Sequence, residues 1–281
     1  MKIGFIGAGK VGCSLGKYFS TNGLSLSGYA SRQDASAQEA AVFTDSNFYS
    51  QWDALVQDSD VIFITVPDEA IASVWDSLKT YPIQEKLICH CSGSLSSDIF
   101  SDIQHFSAFG YSVHPLYAIA TKQNSYEDLA HAMFTIEGDA QHLGEIRSLL
   151  EGLGNQVQTI DTKQKARYHA AAVFASNHMV ALAKVATDLL VSCGFSETNA
   201  LEALTPLMSG NLSNILNKGP MAALTGPVER NDVATVEKHL SCLTGESKEL
   251  YRELTNVLIS IGQEKHPKED YEAMKALMQS H

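Results

Sequence analysis

The residues that point most directly to chemistry are three glycines near the start of the chain, in Gly7-Ala8-Gly9-Lys10-Val11-Gly12. They follow the apolar run from Lys2 to Ile6 and precede a segment with helical apolar periodicity. Between a strand and a helix, the first glycine allows a tight turn, the second lets the backbone approach a pyrophosphate, and the third lets the helix pack closely. Phosphates would then accept hydrogen bonds from the free N–H groups that begin the helix. The segment therefore predicts a dinucleotide-binding loop formed by Gly7, Ala8, Gly9, Lys10, Val11 and Gly12.

The end of the second predicted strand, residues 24–29, indicates which dinucleotide is preferred. A site for NAD usually places an Asp or Glu there, about 20 residues past the glycines, to bind the ribose 2′-hydroxyl. This chain instead has Ser31 and Arg32, a hydroxyl and a guanidinium that suit a 2′-phosphate. We therefore predict NADP rather than NAD, although Asp34 leaves open that Arg32 is a solvated turn residue.

Two further strand ends are expected to line the nicotinamide half of the cleft. Val66, Pro67 and Asp68 end or follow the apolar run of residues 60–66, and Ser92-Gly93 follows the predicted strand of residues 86–91. In an open α/β sheet, ligands bind outside the carboxyl ends of the strands. For Ser92 and Gly93, an ordinary polar turn is an equally good interpretation.

A metal site is the alternative interpretation of the Cys89-His90-Cys91 segment. On a strand, side chains alternate between the two faces, so the two cysteines would point away from His90. We therefore predict no metal site. The five scattered cysteines are typical of reduced thiols rather than of a disulfide framework.

The elements that must position these residues alternate between strands and helices over the first part of the chain. Predicted strands are followed by helical segments such as residues 70–78 and 141–153, which is typical of βαβ units. We predict an α/β fold: an N-terminal Rossmann domain with a doubly wound parallel sheet over residues 1–161, then an all-α domain over residues 162–281.

The first helix of the predicted helical domain, residues 165–193, is apolar nearly all round, which predicts that protein encloses it. Asn177, His178, Lys184 and Asp188 interrupt it too early for a membrane span of about 20 apolar residues. A partner subunit is one way to cover such a helix, so we predict a homodimer.

The overall charge disfavours other kinds of partner. The formal net charge of −12 would repel a nucleic-acid backbone or an anionic membrane. No secretory leader is recognisable before the first strand, so we expect a cytoplasmic protein that acts on a small molecule.

Several segments together resemble one group of bacterial Rossmann-like proteins assigned as NADP oxidoreductases, whose C-terminal helical domain has no known function. The resemblance covers essentially the whole chain and rests on the glycine segment and on Thr65-Val66-Pro67-Asp68, His90-Cys91-Ser92-Gly93, Val113-His114-Pro115-Leu116, Tyr168-His169-Ala170-Ala171-Ala172 and Leu224-Thr225-Gly226-Pro227 with Arg230 and Asp232. More distantly, the layout resembles pyrroline-carboxylate reductase and the 3-hydroxyisobutyrate and 6-phosphogluconate dehydrogenases. The resemblance implies a C-terminal domain like that of 6-phosphogluconate dehydrogenase, which dimerises and closes the active site over the nicotinamide.

Two departures from these relatives limit what can be transferred. The hydroxyacid dehydrogenases use a lysine, with an asparagine one turn later, on the first long helix, where this chain offers His169 and Asn177. The family also usually has Arg-Gly-Asp where this chain has Arg230-Asn231-Asp232. Asparagine tolerates a positive φ better than most residues, so the loop shape can be retained.

Hydride transfer to a C=O or C=N bond needs a proton donor and polar groups that orient the substrate. We predict His169 as the acid/base, because histidine titrates near neutral pH; the alternative is a histidine hydrogen-bonded in the interdomain core. Asn177 is expected to flank the same cleft, Arg230 to bind a substrate carboxylate in bidentate fashion, and Thr225 resembles by position a substrate-binding loop of pyrroline-carboxylate reductase. Asp232 is better explained as a helix N-cap, and His114-Pro115 as a structural turn.

These residues favour an NADP-dependent oxidoreductase that transfers a hydride between nicotinamide and a small keto, imino or hydroxy acid at the domain junction. The alternative is a dinucleotide-binding sensor or assembly module without turnover. A third hypothesis is a reductase that takes its hydride from a deazaflavin.

Overall fold

The computed structural model describes residues 1–279 and divides the chain into two compact units. The first unit is Met1–Asn177, and the second begins at His178. The domain boundary predicted after Asp161 therefore falls inside the first unit.

The first unit is built on an eight-stranded sheet in the order β3-β2-β1-β4-β5-β6-β7-β8. Its strands are β1 (Lys2–Ile6), β2 (Ser25–Ala30), β3 (Asn47–Phe48), β4 (Val61–Ile64), β5 (Leu87–His90), β6 (Phe109–Pro115), β7 (Phe134–Gly138) and β8 (Val157–Thr159). All neighbouring pairs are parallel except β6 and β7, which are antiparallel. The predicted Rossmann fold is confirmed, and the antiparallel pair is an addition to the predicted parallel sheet.

Helices cover both faces of this sheet. They are α1 (Lys10–Thr21), α2 (Asp34–Thr44), α3 (Trp52–Asp58), α4 (Asp68–Leu78), α5 (Ser125–Asp128), α6 (Leu143–Gly152) and α7 (Lys165–Ala175). Period-two alternation sends Phe5, Phe63 and Cys89 into the core on one face, and Ile64 and Ile88 into the core on the other. The central strands are apolar on both sides because both of their faces are covered.

The second unit is helical, as predicted. It contains α8 (Asn177–Ser192), which begins at the last residue of the first unit, and α9 (Glu197–Ala223), α10 (Val233–Cys242), α11 (Gly245–Lys265) and α12 (Glu272–Gln279). Its core packs Val236 and Leu240 of α10 with Ile259 of α11 and Met274 of α12. In α9, Gly219 has φ +79° and breaks the helix before Pro220.

The single helix predicted over residues 165–193 is wrong in one respect, because it is interrupted, and its enclosure by a partner subunit stays a prediction. Ser176 leaves helical geometry, with φ −127° and ψ −76°, and separates α7 from α8. Most of the apolar side chains are also exposed in the chain, among them Phe174 and Val180. An all-round apolar pattern indicates that a helix will be covered, but it does not show what covers it.

By length and composition alone, one helical stretch of the described residues could cross a membrane. It is Thr162–Ser192, with a mean hydropathy of 1.2. The break at Ser176 lies inside this stretch.

Candidate functional site

The glycine turn has the local geometry that its spacing predicts. Gly7 has φ +111°, and the hydroxyl of Thr65, just after β4, donates a 2.8 Å hydrogen bond to its carbonyl oxygen. A Cβ on Gly12 would collide with the Thr65 side chain, so this glycine allows α1 to start close to β4. A Cβ on Gly9 would have only the Thr65 carbonyl oxygen nearby, at 3.9 Å, so the loop is open on this side. Gly7 and Gly12 thus permit close packing, whereas Gly9 faces space that a ligand can enter.

A cavity of about 720 Å³ lies against this turn, at the carboxyl ends of β1 and β4. It brings together seven of the predicted cofactor residues, namely Gly7, Ala8, Gly9, Ser31, Arg32, Val66 and Pro67. These residues come from three separate segments that the switch in strand order places side by side.

The remaining predicted cofactor residues border this region without lining the cavity. Lys10, Val11 and Gly12 form the first turn of α1, and Lys10 is exposed. Asp68 begins α4, and Ser92 and Gly93 follow β5.

Two cations, Arg32 and Lys122, and one carboxylate, Glu69, line the cavity. Arg32 is exposed and makes no ion pair with any residue that the structure describes. Lys122, which the sequence analysis did not single out, lines the same cavity, with its Nζ 4.0 Å from Oε2 of Glu39. Lys122 lies in the loop between β6 and α5, where nothing in the local sequence marks it as a ligand.

Asp68 organises the loop that follows β5. The hydroxyls of Ser92 and Ser94 donate to its Oδ2 at 2.7 and 2.9 Å. The backbone N–H groups of Ser94 and Leu95 in turn donate to the Ser92 hydroxyl. Ser92 is therefore a structural part of the loop as well as a predicted cofactor residue.

A row of polar side chains crosses one face of the sheet at β5, β6 and β7. Ser112 on β6 is paired with His90 on β5 and with Glu137 on β7. Two residues further along β6, His114 is paired with Thr135 of β7. Because i and i+2 share a face, Ser112 and His114 belong to the same polar surface.

Helix α7 covers this polar surface with three more polar side chains. Lys165 donates from Nζ to the Ser112 hydroxyl at 2.6 Å, and the hydroxyl of Tyr168 lies 2.7 Å from Nδ1 of His114. His169 packs directly on Gly93, where an added Cβ would collide with its ring. Such a Cβ would also lie 2.9 Å from Nε2 of His114 and 3.0 Å from Nε2 of His169, so both nitrogens converge above Gly93.

Burial controls the charge of this cluster. Burial is the main reason that the pKa of His90 is lowered to about 4. Burial, followed by the nearby Lys165 ammonium, lowers the pKa of His114 to about 3. Burial also lowers the pKa of Lys165 to about 8, although Glu137, Cys91 and Asp68 oppose that shift. The pKa of the Glu137 carboxyl is raised by burial, against hydrogen bonds from the N–H and hydroxyl of Ser97. At neutral pH, both imidazoles are therefore uncharged and Lys165 is an ammonium.

The structure revises one sequence interpretation here and adds residues that the sequence analysis missed. His114, predicted as a structural turn, is the last residue but one of β6 and is hydrogen-bonded to Tyr168. Lys165 and Ser112 were not selected as site residues, and Tyr168 entered only through a segment that carries the family resemblance. A usable signal was the alternation of Tyr111 and Val113 with Ser112 and His114, which marks a strand with one polar face.

The predicted alternation over Cys89-His90-Cys91 is confirmed. Cys89 and Cys91 pack in the core on one face, whereas the ring of His90 lies 5.4 Å from that of Phe100 in the core on the other. Within residues 1–279, no group of three or more His, Cys, Asp or Glu side chains is placed to hold a metal ion.

The other predicted catalytic residues belong to other segments of the chain. Asn177 accepts a 3.0 Å hydrogen bond from the Ser176 hydroxyl at the break between α7 and α8. Thr225 and Arg230 belong to the second unit, in the loop before α10. Their predicted roles stay predictions.

In that loop, two local expectations are confirmed. Asn231 has φ +53°, the conformation that asparagine tolerates. Asp232 caps α10, because its carboxylate accepts from the backbone N–H of Thr235 at 3.1 Å.

Comparison with known proteins supports the resemblance found in the sequence. Residues 2–92 match the family model described as NADP oxidoreductase coenzyme F420-dependent, and residues 132–257 match DUF2520, a domain of unknown function. No curated protein matches the chain.

Solved structures share the fold over nearly the full length. A protein from Thermotoga maritima is 26% identical with a TM-score of 0.75, covering 94% of this chain and 99% of that one. A reductive aminase from Aspergillus terreus, solved with NADPH and ethyl-5-oxohexanoate, is 18% identical with a TM-score of 0.64, covering 98% and 97%. The 1-pyrroline-5-carboxylate reductase of Streptococcus pyogenes is 17% identical with a TM-score of 0.64, covering 92% and 98%. Over residues 2–92 and 132–257, the chain is therefore similar to these two families in turn.

Proposed function

We propose that this chain is an NADP-dependent oxidoreductase that transfers a hydride between the nicotinamide and a small keto, imino or hydroxy acid. The observation that carries the proposal is the cavity of about 720 Å³ that joins the glycine turn to Ser31 and Arg32. The family match over residues 2–92 supports the oxidoreductase class and NADP, and a reductive aminase of the same fold binds NADPH.

The chain's own residues fit NADP. The open side of Gly9 leaves room for a pyrophosphate beside the N-terminus of α1, where backbone N–H groups are free to donate. Arg32 and Ser31 offer donors for a 2′-phosphate, and β2 ends without the carboxylate that would bind an unmodified ribose. Lys122 adds a second positive charge to the same wall.

The polar cluster near Gly93 is suited to move the proton that accompanies hydride transfer. NADPH supplies the hydride that the carbonyl or imine carbon accepts, and the oxygen or nitrogen then needs one proton. His169 supplies that proton from a position above Gly93, with His114 beside it. Asn177, Thr225 and Arg230 complete the proposal as groups that orient the substrate, with Arg230 facing a carboxylate.

We also propose that the protein works as a homodimer in the cytoplasm. The exposed apolar side chains of α8 and α9 support a second copy as the covering partner. The reductase fold supports a soluble location, and the cytoplasm itself stays a prediction.

Thermal stability with NADP, NAD and no ligand tests cofactor binding directly. A ligand that binds only the native state adds about 2.7 kcal/mol of stability when present at 100 times its dissociation constant. We expect NADP to protect more than NAD. Equal or greater protection by NAD would contradict the assignment of Arg32.

Turnover of NADPH against a panel of small keto and cyclic imino acids, and of NADP with hydroxy acids, tests catalysis. We expect activity that falls by about 100-fold or more in His169→Ala and is unchanged in His105→Ala, an exposed control on the same unit. NADP binding without turnover of any substrate favours the sensor alternative. Oxidation of a reduced deazaflavin by NADP would identify the donor named in the family description.

A further inference from the structure

Lys165 is a charged side chain in a place where charge is costly. It is the first residue of α7 and only 2% exposed, yet its ammonium is held by one hydrogen bond, to the Ser112 hydroxyl. A buried ammonium is unfavourable unless other groups compensate for the lost water. The charged and titratable groups that face it come from several elements: Glu137 on β7, His114 on β6, His90 and Cys91 at the end of β5, Asp68 on α4 and Tyr168 on α7.

The Lys165 ammonium also contacts the aromatic ring of Tyr168, and through this ring it can affect His114. Its Nζ lies 5.5 Å from the centre of the Tyr168 ring, within the range of a cation–π interaction. A cation there draws electron density from the phenol, so the hydroxyl becomes a better donor and its oxygen a poorer acceptor. That hydroxyl is 2.7 Å from Nδ1 of His114.

We propose that Lys165 is a positioning residue: its ammonium makes Tyr168 the donor to Nδ1 of His114 and so fixes the His114 proton on Nε2, above Gly93. A neutral imidazole has one N–H, and an Nδ1 that accepts leaves Nε2 as the donor. That Nε2 faces the place where Nε2 of His169 also points. This inference rests on the proposed function in one respect, that the reacting group of the substrate lies above Gly93.

The charge environment of His114 agrees with this assignment. Besides burial, the Lys165 ammonium is the strongest influence that lowers the pKa of His114, and His169 and His90 act in the same direction. Asp68 is the opposing group. Removal of Lys165 therefore weakens both the tautomer preference and the bias toward the uncharged ring.

Nitrogen NMR of the histidine rings tests the proposal without a substrate. In protein labelled with ¹⁵N-histidine, and with His114→Gln used to assign the resonance, we expect an acceptor-type shift for Nδ1 and an N–H-type shift for Nε2 between pH 5 and 8. In Lys165→Met, we expect the two nitrogen shifts to converge as the tautomers mix, and the pKa of His114 to rise from about 3 toward its ordinary value of 6.5.

The matched control is Lys163→Met, which removes an exposed lysine two residues earlier and should leave the His114 spectrum unchanged. Lys165→Arg retains the cation and is expected to keep the Nε2–H form, which a role confined to packing does not predict. Tyr168→Phe removes the hydroxyl that donates to Nδ1 of His114, so the two His114 tautomers should mix even though Lys165 is present.

The proposal is overturned if Lys165→Met and wild type give the same His114 tautomer and the same titration. NADPH protection measured on the same samples keeps the two proposals separate. If NADPH raises the thermal stability of both wild type and Lys165→Met, the cofactor site is intact in both proteins, whichever tautomer His114 adopts. If the wild type does not bind NADPH, the proposed function is contradicted, but the measurement of the His114 tautomer stays valid.

Discussion

Arg32 and Lys122 approach the nucleotide cavity from segments about ninety residues apart. Arg32 follows directly from the end of β2, so its position could be predicted from the strand pattern. Lys122 reaches the same wall only because the loop after β6 folds back toward α1, where the Ser14 hydroxyl donates to the carbonyl oxygen of Thr121. The cavity wall therefore combines a residue with a local sequence signal and one supplied by the tertiary fold.

Replacement of Arg32 by alanine should weaken NADPH binding about 10- to 100-fold, because a hydrogen bond to a charged group contributes about 1.5–3 kcal/mol. NADH, which has no 2′-phosphate, should bind with nearly unchanged affinity. Titration calorimetry with both nucleotides measures the two dissociation constants.

Lys2→Ala is the matched control for Arg32→Ala. Lys2 is an exposed cation at the amino end of β1, whereas the cavity lies at the carboxyl end of that strand. An equal loss of NADPH and NADH affinity in Arg32→Ala would show that Arg32 does not recognise the 2′-phosphate.

Protein stability should decrease in acid because of His90 and His114. Their folded-state pKa values, about 4 and about 3, lie below the ordinary value of 6.5, so the unfolded chain binds more protons between these limits. The stabilisation from the uncharged rings is therefore complete above pH 6.5 and is lost as pH falls through this window. Each ring adds up to about 1.4 kcal/mol per pH unit to the slope.

Urea unfolding at several pH values from 4.5 to 7 measures that slope. In His114→Gln, we expect the slope to decrease by the contribution of one proton, whereas His105→Gln, an exposed control, should retain the wild-type slope. An unchanged slope in His114→Gln would mean that its ring titrates normally in the folded protein.

At the level of elements, β6 and β7 differ from the strands before them. Strands β4 and β5 carry apolar runs because both of their faces meet apolar cores, whereas β6 and β7 alternate apolar and polar residues. The polar face receives α7, so the cluster depends on how closely that helix approaches the loop after β5. At Gly93 the two lie so close that an added Cβ would collide with the His169 ring.

Gly93→Ala should destabilise the first unit by about 1–3 kcal/mol, because the new methyl group would collide with the His169 ring and reach His114. Gly144→Ala is the control: a Cβ at Gly144 meets nothing within 4 Å, so we expect a small stabilisation of about 0.5 kcal/mol. Urea unfolding followed by circular dichroism compares both with wild type. Gly93→Ala with wild-type stability would show that α7 does not pack on this loop in solution.

For the whole molecule, the most informative feature is the apolar surface of α8 and α9. Large apolar side chains on these helices are strongly exposed, including Val180, Leu207 and Leu216, at 72%, 69% and 76%. So many large exposed apolar side chains on two helices are uncommon on monomers and are typical of an interface. This exposure supports the proposed homodimer, in which a second copy covers both helices.

Sedimentation of the wild type at micromolar concentration should give the mass of two chains. The double variant Val180→Glu, Leu216→Glu should give the mass of one chain, because buried carboxylates would disfavour the interface. Val42→Glu is the control, because Val42 is 85% exposed on α2 of the first unit. A wild-type mass of one chain would contradict the dimer, and association only with lipid vesicles would favour a membrane surface instead.

The sequence by itself determined the features that depend on neighbouring residues. The glycine turn, the alternation over Cys89-His90-Cys91, the positive φ of Asn231 and the Asp232 cap each follow from local sterics, strand periodicity or hydrogen bonding within a few residues. The helical second unit and the order of strands and helices follow from apolar periodicity.

Only the tertiary structure decided which distant residues meet. Ser112 and His114 share a face of β6 by local alternation, but Lys165 and Tyr168 reach them only through the packing of α7, which has no local signal. The sequence shows a lysine before an apolar helix, which is ordinarily solvated. Its burial, and hence its chemistry, arises because the free energy of the whole packed sheet outweighs the cost of one desolvated charge.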